Sequence, residues 1–352
     1  MTLSLPYTIP PLDEHAAQQA AQRQDRLTKP TGALGQLEKL SIRLAAMTGR
    51  LDYRPDRRAV LVFAGDHGVT QQGISAYPAD VTAQMVLNFL NGGAAINVFA
   101  AQMGARLRVI DAGVASTFSD DVRAHPAFID GKIAHGTQDF SVGMAMTSAQ
   151  AQASLALGAR AFESVYADGL DIIALGEMGI GNSTSASAII AAITGSEASL
   201  VTGRGTGITD ETLSHKITLI ERALTINAPA EIDTLMRVGG FEIGAIAGAI
   251  IAAAANRVPV VLNGLICTAG ALIAAQIQPA VLGYLIAGHR GAEPGHRLAL
   301  EHLGLDALLA LNMRLGEGTG AVLAFPLIEA AMRALQEMAT FSDAGVSDRE
   351  GT

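Results

Sequence analysis

The stretch DIIALGEMGIGNSTSASAII, residues 171–190, decides the fold. Ile172–Leu175 form a short apolar run that ends in glycines, and a run rich in Ala, Ser and Ile follows. The first part reads as a buried strand and the last as a helix. Asn182, Ser183 and Thr184 stand where side chains cap a helix start. The glycines let the backbone approach a ligand, and free N–H groups with the helix dipole favour an anion there. An ordinary capped helix after a tight turn has the same composition. No Lys follows in the P-loop frame, and the glycine spacing is not that of the dinucleotide fingerprint.

The same rhythm recurs on both sides. AVLVFAGDHG (59–68), RLRVIDAGV (106–114), VPVVLNG (258–264) and AVLGYLIAGHRG (280–291) are apolar runs that end in small or polar residues. A helical stretch at 80–104 separates the first two. Strands alternating with helices predict an α/β protein with a Rossmann-like, mostly parallel sheet covered by helices on both faces. Asp66, His67, Asp111, Glu177, Asn182, Asn263, His289 and Arg290 gather where these strands end. In open α/β sheets ligands bind beyond the carboxyl ends of the strands, so one pocket built from several strand ends is expected. Residues 12–48 read as two helices broken at TKPTGALG, and the chain returns to helix after 326. The expected division is a large α/β nucleotide- and base-binding domain over 56–325. A small helical domain would join 1–55 with 326–352.

Bulk composition narrows the partners. Of 352 residues 49% are apolar and 16% charged, ample for a core and unlike a disordered chain. A net charge of −9 without a basic stripe argues against nucleic acid, so an anionic substrate must be held locally. One cysteine, Cys267, excludes an intramolecular disulfide and a cysteine-rich zinc site. It points to a reducing compartment, and a cytoplasmic location is expected. The start of the chain lacks the pattern of a signal peptide. Residues 258–288 carry no Asp, Glu, Lys or Arg, but Pro259, Asn263, Gln276, Gln278 and Pro279 divide them into strand, helix and strand rather than a membrane span.

Several constellations can carry chemistry. TGRGTGITD (202–210) is a second glycine-rich loop, with Lys216 on the helix after it. Two such loops and one Lys suit a mononucleotide phosphate, although a lone Lys on a helix is ordinarily solvated. Asp66 and His67 are adjacent on an extended segment and point apart, which disfavours a shared metal. Glu293 and His296 allow either a metal pair or a structural hydrogen-bond network. No metal and no cofactor are expected. In RLGEGTGA (314–321) Glu317 sits between Gly316 and Gly318. The carboxylate is either a turn glutamate in water or a base exposed by its small neighbours, its pKa raised by apolar surroundings.

LTKPTGALGQLE (27–38), FAGDHGVTQQGISAYP (63–78), GEMGIGNSTSASA, TGRGTG, AGHRGAEPGH (287–296) and RLGEGTGA occur in one order. That order resembles the nicotinate-nucleotide–dimethylbenzimidazole phosphoribosyltransferases, over residues 27 to 330. The resemblance implies that ribosyl phosphate moves from nicotinate mononucleotide to 5,6-dimethylbenzimidazole or a related base. The products are nicotinate and α-ribazole phosphate, for the lower ligand of cobalamin-type cofactors. It implies Glu317 as base and Glu177 in a secondary catalytic role. Phosphate and nucleotide contacts carry over to Gly179, Gly181, Asn182, Ser183, Gly203, Gly205, Gly207, Lys216, Gly291 and Gly316. The acceptor base would meet Tyr77, Gln84 and Leu315, and a homodimer is implied. One departure stands out: relatives are expected to carry small hydroxyls near 287 and 291, where this chain has Ala and Gly. A hydroxyl for the nicotinate carboxylate is then missing, and either backbone N–H groups substitute or the donor binds more weakly. Two other readings are a nucleotide-binding oxidoreductase, which lacks its G-x-G-x-x-G strand–helix element here, and a non-catalytic nucleotide- or base-binding protein on the same fold.

Overall fold

Apolar β-branched runs bounded by glycine form strands, and the ones buried on both faces need no polar alternation. A computed structural model of the chain describes residues 3–205, 207–229 and 233–347. Its sheet contains β1 (Arg58–Gly65), β2 (Ala105–Gly113), β3 (Phe128–Asp130), β4 (Ile172–Met178), β5 (Val260–Leu262) and β6 (Leu285–Ala287). The order is β3-β2-β1-β4-β5-β6, and every pairing is parallel. The chain reverses its direction of travel across the sheet between β1 and β4. There the strand ends open a crevice.

Helices α1 (Glu14–Arg26) and α2 (Gln36–Thr48) precede the sheet. The stretch read as one helix at 80–104 is two, α3 (Val81–Leu90) and α4 (Ala95–Gln102). Asn91, Gly92 and Gly93 break it, with Gly92 in the left-handed region. Between β2 and β4 lie α5 (Asp120–Arg123) and α6 (Ser148–Tyr166). After β4 come α7 (Asn182–Thr194), α8 (Ala198–Val201), α9 (Asp210–Asn227), α10 (Thr234–Val238) and α11 (Phe241–Ala255). Next are α12 (Leu265–Ile277), α13 (Pro294–Leu303), α14 (Thr319–Leu323), α15 (Phe325–Glu337) and α16 (Phe341–Ala344).

Two strand expectations change. β3 has only three residues, too few for a periodic signal. PAVLGYLIAG is strand only at Leu285–Ala287, because Pro279–Tyr284 form a 3-10 turn that begins at the proline. The run 258–288 is otherwise strand, helix and strand, and among the described residues no helix is long and apolar enough to cross a membrane.

The Ala/Gly helix α11 belongs to the core of its own chain. All its residues but the last are buried, and it lies against α6 at backbone contact. A methyl group on Gly248 would come 1.9 Å from the Leu155 carbonyl oxygen, and one on Gly158 would come 1.7 Å from that of Ala245. From the two chain ends, α1, α2 and α15 pack on one another. The Arg23 guanidinium donates to the Gln336 carbonyl at 2.9 Å, at the end of α15. Residues 348–352 of the proposed helical domain lie outside the described residues.

Candidate functional site

The crevice at the β1/β4 reversal collects carboxylates. Glu177 is in register with Phe63 near the end of β4 and is buried. Its carboxylate accepts from the Asn182 amide at the start of α7. Burial pushes it up to about 7, aided by the negative charges of Glu242 and Glu317 and opposed by Asn182 and His67. Glu317 is buried too. Its Oε2 accepts from the Ile96 N–H at 3.2 Å, at the N-terminus of α4. Burial raises its pKa, and that one N–H offsets part of the rise. No hydrogen bond to its Oε1 exists among the described residues.

The structure gives the glycines around Glu317 a reason that residue size alone did not. Gly316, Glu317 and Gly318 have φ of 93°, 62° and 95°, three successive left-handed residues. A methyl on Gly316 would lie 2.5 Å from Glu177 Oε1. Opposite, a methyl on Gly176 would lie 2.3 Å from the Glu317 carbonyl oxygen. The turn is pressed onto β4, and the Glu317 N–H donates to the Glu177 carbonyl at 3.2 Å. The strain of a left-handed glutamate, about 1–3 kcal/mol, is held by this packing.

Behind Glu177 sits a pair the sequence reading passed over. His67 Nε2 and Glu242 Oε1 are 2.7 Å apart, both side chains fully buried. Glu242 is in the first turn of α11, where the helix dipole favours a carboxylate. The signal was present: it is the only charged residue in an otherwise apolar 15-residue helix. Asp66 does not share a ligand site with His67. Its Oδ2 accepts from the Ala115 N–H at 2.7 Å.

An adjoining cleft shares Ser183 and Gly205 with this one. Lys216 is buried, with its ammonium 2.9 Å from Ser183 Oγ and 3.4 Å from the Gly203 carbonyl. Burial pulls it down to about 8, and Glu293 opposes the fall. Helix α7 begins at Gly181, with φ of 93°. The N-terminus of α12 reaches the first cleft through Gly264, Leu265 and Ile266. The starts of two helices, α7 and α12, thus border one cleft.

Of the residues expected at the site, Glu177, Gly179, Asn182, Ser183, Gly205, Gly291, Leu315 and Gly316 line this cleft. Gly181 and Lys216 line an adjoining one that also holds Ser183 and Gly205. Glu317 lies just behind the wall formed by Gly316. Gly203 contributes only its carbonyl, and a methyl there would meet Glu293 at 1.9 Å. Gly207 stands outside both clefts, and its N–H is taken by the Arg204 carbonyl at 2.9 Å. Tyr77, Gln84 and Leu315 are exposed, from the loop before α3, from α3 and from the turn before Gly316.

Glu293 and His296 belong to a hydrogen-bond network. Glu293 Oε1 accepts from the Gly205 N–H at 3.0 Å, and His296 Nδ1 accepts from the Gly291 N–H at 2.9 Å. Burial, with a smaller push from His289, takes His296 down to about 3, so the ring is neutral. The substitute N–H groups expected near 291 are engaged: Gly291 donates to His296, and Ala292 donates to the Met313 carbonyl at 3.0 Å. A side chain at 291 would also start 3.1 Å from His296 Nδ1.

A Rossmann-type sheet with a buried Lys and two raised carboxylates around its switch point has the layout of an α/β enzyme whose cleft suits an anionic ligand. A family model described as Phosphoribosyltransferase matches residues 9–346. A nicotinate-nucleotide–dimethylbenzimidazole phosphoribosyltransferase of Chloroflexus aggregans is 54% identical, over 97% of each chain. Its counterpart in Roseiflexus sp. is 53% identical over 97% of this chain and 96% of that one. A solved structure of the enzyme so named from Thermus thermophilus superposes with a TM-score of 0.91 at 45% identity, over 96% of this chain and all of that one. This chain belongs to the nicotinate-nucleotide–dimethylbenzimidazole phosphoribosyltransferase family.

Proposed function

We propose that the chain transfers ribosyl phosphate from nicotinate mononucleotide to 5,6-dimethylbenzimidazole or a related azole, with Glu317 as base. The lone pair of the unprotonated ring nitrogen attacks the anomeric carbon. The bond from that carbon to the pyridinium nitrogen breaks, its electrons return to the ring, and nicotinate leaves. Attack opposite the leaving group turns a β donor into an α product. As the new C–N bond forms, the proton on the other azole nitrogen becomes acidic, and Glu317 takes it. A carboxylate with a raised pKa and one open oxygen suits that step.

Glu177 lines the cleft and offers negative charge to the sugar as it becomes cationic. Lys216, Ser183 and the start of α7 bind the phosphate. The observation that carries the reading is a buried Lys216, in a cleft sharing Ser183 and Gly205 with the one that Glu177 lines, together with two raised carboxylates, Glu177 and Glu317. The exposed apolar side chains Tyr77 and Leu315 suit a flat acceptor ring, and Leu87 and Leu311 a second subunit. We take the working form to be a cytoplasmic homodimer. The test incubates purified protein with nicotinate mononucleotide and a panel of benzimidazoles, purines and phenols and separates the products by chromatography. Release of nicotinate with an α-ribosyl phosphate of the base is expected; no base-dependent release of nicotinate refutes the reading.

A further inference from the structure

We propose that the buried His67–Glu242 pair is a positioning unit for this transfer, one that holds the strand-end loops behind Glu177 and sets how much negative charge Glu177 presents to the sugar. The inference rests on the transferase reading given above.

Geometry carries it first. His67 follows β1, and the pair ties that loop to the start of α11 with no exposed atom. Two glycines leave room for the side chain, one at the ring and one at Cβ. A methyl on Gly240 would lie 2.5 Å from His67 Cε1, and one on Gly181 would lie 3.3 Å from His67 Cβ. Gly181 is the residue from which α7 starts, and Asn182 beside it donates to Glu177. Displacing His67 therefore moves the partner that orients Glu177.

Charge carries it second. Glu177 faces Glu242 on α11, Glu317 ahead of α14 and His67. It also faces the Cys267 thiol on α12, which burial pushes well up and which donates to the Leu175 carbonyl at 3.3 Å. His67 faces Glu242, Asp66 and Glu177. Burial pulls the ring down, yet these three carboxylates more than offset it and hold its pKa above the ordinary value. Its Nδ1 has no hydrogen-bond partner among the described residues. Of the side chains that act on Glu177 through charge, His67 lowers its pKa, while Glu242 and Glu317 raise it. Glu242 raises Glu177 more than His67 lowers it.

The two members then act on Glu177 with opposite sign. The experiment uses the full chain with ¹³C in glutamate carboxyls and ¹⁵N in histidine rings, alongside His67→Gln and Glu242→Gln. Turnover by the wild type tests the transferase reading separately, because the NMR titrations need no activity. His67→Gln is expected to move the Glu177 titration, and the acid limb of kcat, to higher pH. Glu242→Gln moves both to lower pH, each by about half a unit or more. KM for the donor changes by less than about threefold, since neither residue touches it. In a Glu177→Gln background neither substitution moves the limb.

A pair with a structural role alone would lower both melting temperatures and shift the two titrations together or not at all. That result overturns the proposal, as does a neutral His67 ring in the wild type at pH 7. If a single variant fails to fold, His67→Gln/Glu242→Gln keeps an amide hydrogen bond in place of the ion pair. It should titrate Glu177 at lower pH, and an unchanged midpoint again refutes the role.

Discussion

The two ends of the site bury charge in opposite senses. At the carboxylate end Glu177 and Glu317 are held toward their neutral forms, chiefly by desolvation. At the phosphate end desolvation holds Lys216 toward its neutral form. The proposed donor has the complementary layout, a cationic pyridinium and an anionic phosphate. The matching part of the substrate favours the charged form of each buried group, and Coulombic attraction is stronger there than in water. The comparison teaches that a pocket with few exposed charges can still hold groups of both signs, their charge tuned by burial.

Breaking the carboxylate end should cost most. Glu317→Gln keeps size and the Ile96 contact but removes the base, so kcat should fall about 10²–10⁴-fold with donor affinity nearly unchanged. Steady-state kinetics with both substrates varied measures it. Turnover at the wild-type rate would mean the acceptor's proton leaves by another route. Breaking the phosphate end should act on binding instead. Lys216→Met removes a charge-assisted contact of about 1.5–3 kcal/mol, a roughly 10–100-fold rise in KM for the mononucleotide. Calorimetric titration with the donor alone separates this from an effect on chemistry.

A pH series sharpens the contrast. The ammonium of Lys216 is the form proposed to bind phosphate, and it deprotonates near 8. Affinity for a phosphate monoester should therefore be full below that pH and weaken as pH rises through it, an effect absent in Lys216→Met. The smallest effect concerns stability. Glu177 has a folded-state pKa of about 7 against 4.5 for the free group. A value raised by folding gives a contribution that is full below the unfolded pKa and lost as pH climbs through the folded one. Glu177→Gln should thus unfold at a higher temperature than wild type at pH 8, with the gain shrinking toward pH 5. Scanning calorimetry at the two pH values reads it, and a constant gap would contradict the linkage.

Much of this was legible in the chain. The apolar runs ending in glycine at 65 and 176, and the glycine turn before Asn182, determine a parallel sheet with polar strand ends, because local periodicity and turn chemistry act over a few residues. The order of the blocks, through the family resemblance it carries, implied Glu177, Lys216 and Glu317 as site residues, which the glycines alone did not. Contacts distant in sequence decided the rest. His67 and Glu242 stand 175 residues apart, and no local pattern pairs them. Why Gly316 must be glycine depends on a turn pressed against Glu177, 139 positions earlier, where a side chain has no room. The Ala/Gly helix α11 could not be told from an interface by composition, since close backbone approach suits both. Only its packing on α6 made it core. Composition fixes which groups can be buried, but desolvation and its compensation act through space, and those alone set the charge that each buried residue of the cleft carries.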